Sequence, residues 1–201
     1  MKPNNRLKIP SMNSRLKRHR MNSRGQAFTE LFLAQARHSL RAQHLPRIIR
    51  CLKMLSEEQI WWRAHPTSNS AGNLILHLAG NVRQWIISGL GDQPDQRERD
   101  KEFAELGPIP RRLLIRQLEE TVAEACKVLG NLSTGDLARQ YVIQGFRVRG
   151  MEALAHVTEH FAYHTGQIIY LTKLQLGVDT RFTRLPGGKA KPVRSRKLSQ
   201  F

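Results

Sequence analysis

Between Phe28 and Leu176, apolar residues recur at three- and four-residue spacing in four long segments, and this helical period leaves almost no room for a sheet. The first segment carries Leu31, Phe32, Leu40, Leu45, Ile48, Ile49, Leu52 and Leu55, and Pro46 is expected to kink or divide it. Leu74, Leu78, Trp85 and Ile86 give a second helix, from about residue 71 to 88, one apolar face. The Ser, Thr and Asn residues just before it are candidate caps. Residues 92–106 are charged and read as a loop. Pro108 and Pro110 then open a third helix, whose core face runs from Leu113 to Leu129. Residues 131–149 read as a connector in which 141–149 could be extended. The last helix spans Gly150 to about Leu176 and stops at Gly177. Four one-sided helices must bury their stripes against each other, so the expected fold is all-α, an antiparallel four-helix bundle.

The charge supports a single folded body between two arms. The net charge is +17, yet residues 1–25 and 181–201 together supply fifteen of the 33 basic residues and contain no acid. Residues 26–180 are nearly neutral. The arms lack the apolar content to fold alone and are expected to stay solvated and disordered. Binding of nucleic acid is expected to be weak, salt-dependent and confined to the arms, since no aromatic is interleaved for base stacking. Met12 and Met21 both precede the helical region, so the amino-terminal arm could also reflect a later start. No run approaches the roughly 18 apolar residues of a membrane span. Cys51 and Cys126 are isolated in helical patterns, which indicates buried free thiols and a reducing, cytoplasmic setting.

The chemistry-bearing feature is His156-Val-Thr-Glu159-His160-Phe-Ala-Tyr-His164-Thr-Gly-Gln167. Residues four apart on a helix lie on nearly the same face one turn apart, the spacing two ligands need to grip one metal. His77, mid-helix in the second segment, could bring another imidazole to the same ion. A lone histidine on an apolar face is usually a satisfied core residue. Several buried in register need a shared partner, because each ring nitrogen removed from water must find a bond. His156-x-x-Glu159-His160 also matches the inverted zinc-protease pattern, in which Glu159 would activate water. That site wants an acidic ligand well downstream, and Asp179 is the single acid left after Glu159.

The stretch from Asn69 to Trp85, with Asn73, His77 and Asn81 four residues apart, together with His156-x3-His160-x3-His164-x-Gly166-Gln167-Ile168, resembles the DinB/YfiT-like superfamily of metalloenzymes. The resemblance covers about residues 26–180 and includes Leu55 to Arg63. It implies a four-helix bundle, often a homodimer, with a divalent ion, zinc or nickel, on one histidine of the second helix and two of the last. Carried over, the ligands are His77, His160 and His164. His156 is left one turn away as a residue lining the site or supporting a ligand, alongside the candidates Glu159 and Gln167. Glu159, next in sequence to a ligand, sits about 100° around the helix from it and could face solvent.

The function this implies is a metal-dependent enzyme that activates a thiol or water against a small-molecule substrate, with transfer of a low-molecular-weight thiol as one form of it. The alternatives are a non-catalytic bundle stabilised by metal, and a nucleic-acid-associated protein acting through its arms. Trp61, Trp62 and Trp85 are expected in the core or at a dimer interface before a pocket wall.

Overall fold

Pro46 sets the path of the first helical column. It has no N–H to give to the carbonyl four residues back, and its ring crowds that carbonyl. In the computed structural model, which describes residues 12–182 and their side chains from residue 23, α1 (Met12–Arg37) widens into a π-helical stretch over His38–His44. The chain then re-enters α2 (Leu45–Met54), with Pro46 in its first turn. The N–H of Leu45 reaches the carbonyl of Leu40, five residues back, so the proline's disruption is absorbed by a wider turn.

α1 begins well inside the arm expected to be solvated, and residues 12–25 are helical. Arg, Lys, Met and Leu are good helix formers, and extending a helix already nucleated against the core costs little. At the other end, the chain stays packed as far as Phe182, whose half-buried ring lies 5.5 Å from the Arg50 guanidinium. The rest of the two basic arms, residues 1–11 and 183–201, lies outside the described residues, as does nucleic-acid binding through them.

A short helix, α3 (Glu57–Trp61), is opened by Ser56 in a reciprocal cap with Gln59. Ser70 plays the same part for α4 (Ala71–Val82), with Asn73 as its partner. This column also widens into a π-helical stretch, Arg83–Leu90, before Gly91. The charged stretch read as a loop contains α5 (Arg99–Ala104), a single polar turn and a half that burial patterning alone does not reveal. α6 (Arg111–Asn131) follows, then α7 (Thr134–Ala138). Two strands, β1 (Gln140–Ile143) and β2 (Phe146–Arg149), pair antiparallel. Gln144 and Gly145 both take positive φ in the turn between them, the geometry that matches strand twist in a two-residue hairpin. The long α8 (Gly150–Leu176) closes on Gly177 in the left-handed conformation.

α4 packs against both α6 and α8, and α2 packs against the same two helices from the other side. Their stripes meet in one core that includes Ile48, Leu52, Leu78, Ile86, Leu118, Val122, Leu154 and Phe161. The all-α expectation therefore holds, with one small hairpin added. Cys51 and Cys126 are buried free thiols. Burial pushes both thiols above their ordinary range. Among the described residues, no helix is long and apolar enough to cross a membrane.

Trp61 lies in a slot between Gly72 and Gly107, where a Cβ at either glycine would overlap the indole. Its Nε1–H donates to the Ile109 carbonyl at 3.3 Å. Trp85 is buried, whereas Trp62 is partly exposed.

Candidate metal centre

α4 and α8 present two stripes of side chains to each other. From α4 and its π-helical continuation come His77, Asn81 and Trp85, and from α8 come His156, His160 and His164. Nε2 of His160 lies 3.1 Å from Nε2 of His77 and 3.1 Å from Nε2 of His164. The potential ligand atoms of these three residues all fall within 4.8 Å of one another. A tetrahedral ion with Zn–N bonds of about 2.0–2.1 Å would set its nitrogens about 3.3 Å apart, close to the 3.1 Å between His160 and each of its two partners.

The partners on the far side of each ring determine which nitrogen is free. Nδ1 of His77 is 2.9 Å from Oε2 of Glu102. A carboxylate only accepts, so Nδ1 carries the proton and the Nε2 lone pair points inward. Nδ1 of His164 is 2.6 Å from Oε1 of Gln167, which likewise accepts and leaves that ring's Nε2 bare. Two bare lone pairs thus face one His160 nitrogen, which has a single proton to give. The other nitrogen of His160, Nδ1, is buried without a partner. Protonating the ring does not relieve this, since burial first, then the neighbouring His164, His77, His156 and Arg97, pushes its pKa down to about 3. A divalent cation would satisfy the three inward lone pairs together, and in this respect the donor set fits a metal.

His156 does not converge with them. Its ring is 5.5 Å from that of His160 and 4.1 Å from that of Trp85, and its Nε2 is 3.4 Å from the Asn81 amide nitrogen. It lines the cleft one turn away, where burial above all keeps its pKa low. Glu159 is exposed, as its place beside a ligand in sequence allows, and its charge acts on His156 against the effect of burial. The 100° step from His160 turns it to solvent. Gln167 is brought to the site, through the bond to His164, and its Nε2 also donates to the Tyr163 hydroxyl at 3.3 Å.

Residues that periodicity passed over complete the surroundings. Glu102 and Phe103 come from α5, and the Phe103 ring lies 4.6 Å from that of His77. Arg97 holds Glu102 with Nε on Oε1 at 2.7 Å and Nη2 on Oε2 at 2.8 Å. Arg97 in turn gives Nη1 to the Gln84 amide oxygen at 2.9 Å. Burial tends to raise the Glu102 pKa, but the hydrogen bonds from Arg97 and His77 outweigh it and hold the carboxyl below its usual range.

The segment is tied down through its backbone. Asn73 donates to the carbonyls of Glu102 and Glu105 at 2.9 and 2.8 Å, and Arg63 donates to those of Phe103 and Glu105 at 3.2 and 3.1 Å. Asn73, one turn before His77, is therefore both the cap partner of α4 and the hook for α5. Nothing in the local pattern of residues 92–106 marks Glu102, because apart from Arg97 its partners lie on α4, more than 20 residues earlier.

Solved structures share this architecture. A DinB-like protein from Bacillus subtilis superposes with a TM-score of 0.56 at 16% identity, over 73% of this chain and 94% of that one. A DinB-like protein from Bacillus cereus does so with a TM-score of 0.54 at 18% identity, over 69% and 89%. At such identities the shared property is the fold, which is DinB-like. No curated protein matches the sequence. A family profile described as a protein of unknown function, DUF1572, matches residues 27–189, and with most of its length so covered the chain belongs to the DUF1572 family.

Proposed function

We propose that His77, His160 and His164 hold one divalent ion, zinc or nickel, and that the centre serves an enzyme using an activated thiol or water against a small electrophile. The observation that carries this reading is the convergence of three Nε2 atoms, with 3.1 Å between neighbours. When bound, an ion held by three neutral imidazoles keeps open positions and lowers the pKa of a thiol or water placed there, giving a nucleophile at neutral pH.

The protein's own side chains do the rest. Glu102 and Gln167 keep the His77 and His164 rings oriented with their lone pairs inward. Phe103 covers one face of His77 and limits water there. A pocket of about 540 Å³ adjoins the centre through Gln167, with Thr67, Ser68, Tyr163 and Tyr170 among its walls. Its hydroxyl, amide and aromatic lining suits a neutral polar molecule better than a charged one.

The test is spectroscopic and needs no known substrate. Protein loaded with one equivalent of Co²⁺ should show visible bands, and 2-mercaptoethanol should shift them and add a near-ultraviolet band. Cobalt bands that ignore both thiol and pH between 6 and 9 would contradict an open, activating site.

A further inference from the structure

Gly80 stands in the middle of a buried helix, where glycine costs about 1 kcal/mol relative to alanine. A Cβ there would overlap the Glu102 carboxylate and come within 2.9 Å of Nε of Arg97. The bare backbone at Gly80 is therefore a seat for the Glu102–Arg97 pair, three residues along α4 from His77. The pair is withdrawn from water, with 10% of the Glu102 side chain and 4% of the Arg97 side chain accessible. Removing two charges from water is expensive unless their geometry is good and their remaining hydrogen-bonding positions are filled. Here both carboxylate oxygens are filled, Oε1 by Arg97 and Oε2 by Arg97 together with His77.

We propose that Glu102, seated in the Gly80 notch and clamped by Arg97, is the positioning residue for His77, holding its proton on Nδ1 and its Nε2 lone pair toward His160 and His164. This deepens the metal reading and rests on it for its consequence, although the tautomer it dictates exists without any ion. The sequence cost of the device, a helix-interior glycine and a buried carboxylate on a polar turn, has no other return visible in the packing. Arg97 supplies the second restraint. Its Nη2 lies 3.1 Å from Nδ1 of His77, and with two donors opposed there the carboxylate is what lets both groups approach. Without Glu102, Arg97 would repel the Nδ1–H form and favour the proton on Nε2, which blocks that nitrogen as a ligand.

The experiment has two arms. In metal-free protein labelled with ¹⁵N, the long-range proton–nitrogen pattern of His77 should report the Nδ1–H tautomer in the wild type and Nε2–H or a mixture in Glu102→Ala, which removes the acceptor altogether. Zinc titration should then show affinity about 10- to 100-fold weaker in Glu102→Ala, the range typical for lost support of a ligating histidine. Gly80→Ala should reproduce both changes without touching any titratable group. Glu98→Gln alters the same segment at a surface pair with Lys101 and should change neither readout. If Glu102→Ala keeps the Nδ1–H tautomer, the proposal is overturned. A wild type that shows the tautomer but takes up no zinc would instead count against the metal reading and leave the positioning intact.

Discussion

Zinc affinity in His160→Ala is expected to fall by about 10²- to 10³-fold, to the point where no stoichiometric ion survives gel filtration. His160 contributes the nitrogen that lies 3.1 Å from both of its partners, so its loss breaks the convergence and leaves two nitrogens with no common neighbour. Metal-binding free energies of about 10–16 kcal/mol spread over four ligand positions give about 3–4 kcal/mol for each, which sets the expected factor. The same substitution removes a ring whose Nδ1 has no partner, but also the one proton shared with the His77 and His164 lone pairs, so the metal-free variant should still fold with about 1–3 kcal/mol less stability than the wild type. Isothermal titration with Zn²⁺, alongside thermal melts with and without chelator, checks both halves. The chelator should lower the melting temperature of the loaded wild type and leave that of His160→Ala unchanged.

The second large effect is acid lability of the metal-free protein. His44, His156, His160 and His164 all have pKa values pushed below the ordinary range, in each case chiefly by burial. His44 also faces Arg47, and His160 faces His164, His77, His156 and Arg97. A histidine whose pKa is lower folded than unfolded is neutral in both states above about pH 6.5. Below that, the unfolded chain takes up protons that the folded one refuses. Stability is therefore full at neutral pH and falls as pH drops from about 6.5 toward the folded value. For His160, with a folded pKa of about 3, the loss by pH 5 is about 2 kcal/mol. The other three add to it in the same direction. Urea titrations of metal-free protein at pH 7 and pH 5 should show a midpoint well below the neutral value at pH 5, and equal midpoints would contradict neutral burial of these rings.

How far residues could be read in advance follows the range of the interactions that place them. The break in the first helix at Pro46, the cap at Ser70, the Gly177 stop and the shared face of His160 and His164 all depend on neighbours within a few positions. Spacing and residue type announce them. His77 is a candidate from its mid-helix position and a ligand only through resemblance, since no local pattern says that α4 faces α8. Glu102, Arg97 and Phe103 gave no signal at all. They sit in a charged stretch with no helical period, and their meaning comes from Gly80, Asn73 and His77, 17 to 30 residues earlier in the chain. Glu159 is legible in part, since the roughly 100° step from His160 already allows it to face solvent, and it is exposed.

The central claim, that three histidines on two helices form a metal centre, is tested most directly by elemental analysis of full-length protein purified without an immobilised-metal column. The account predicts close to one divalent ion per wild-type chain and almost none in a His77→Ala variant prepared in parallel. A wild type that carries no stoichiometric metal and takes up none from added Zn²⁺, Ni²⁺ or Co²⁺ would contradict it.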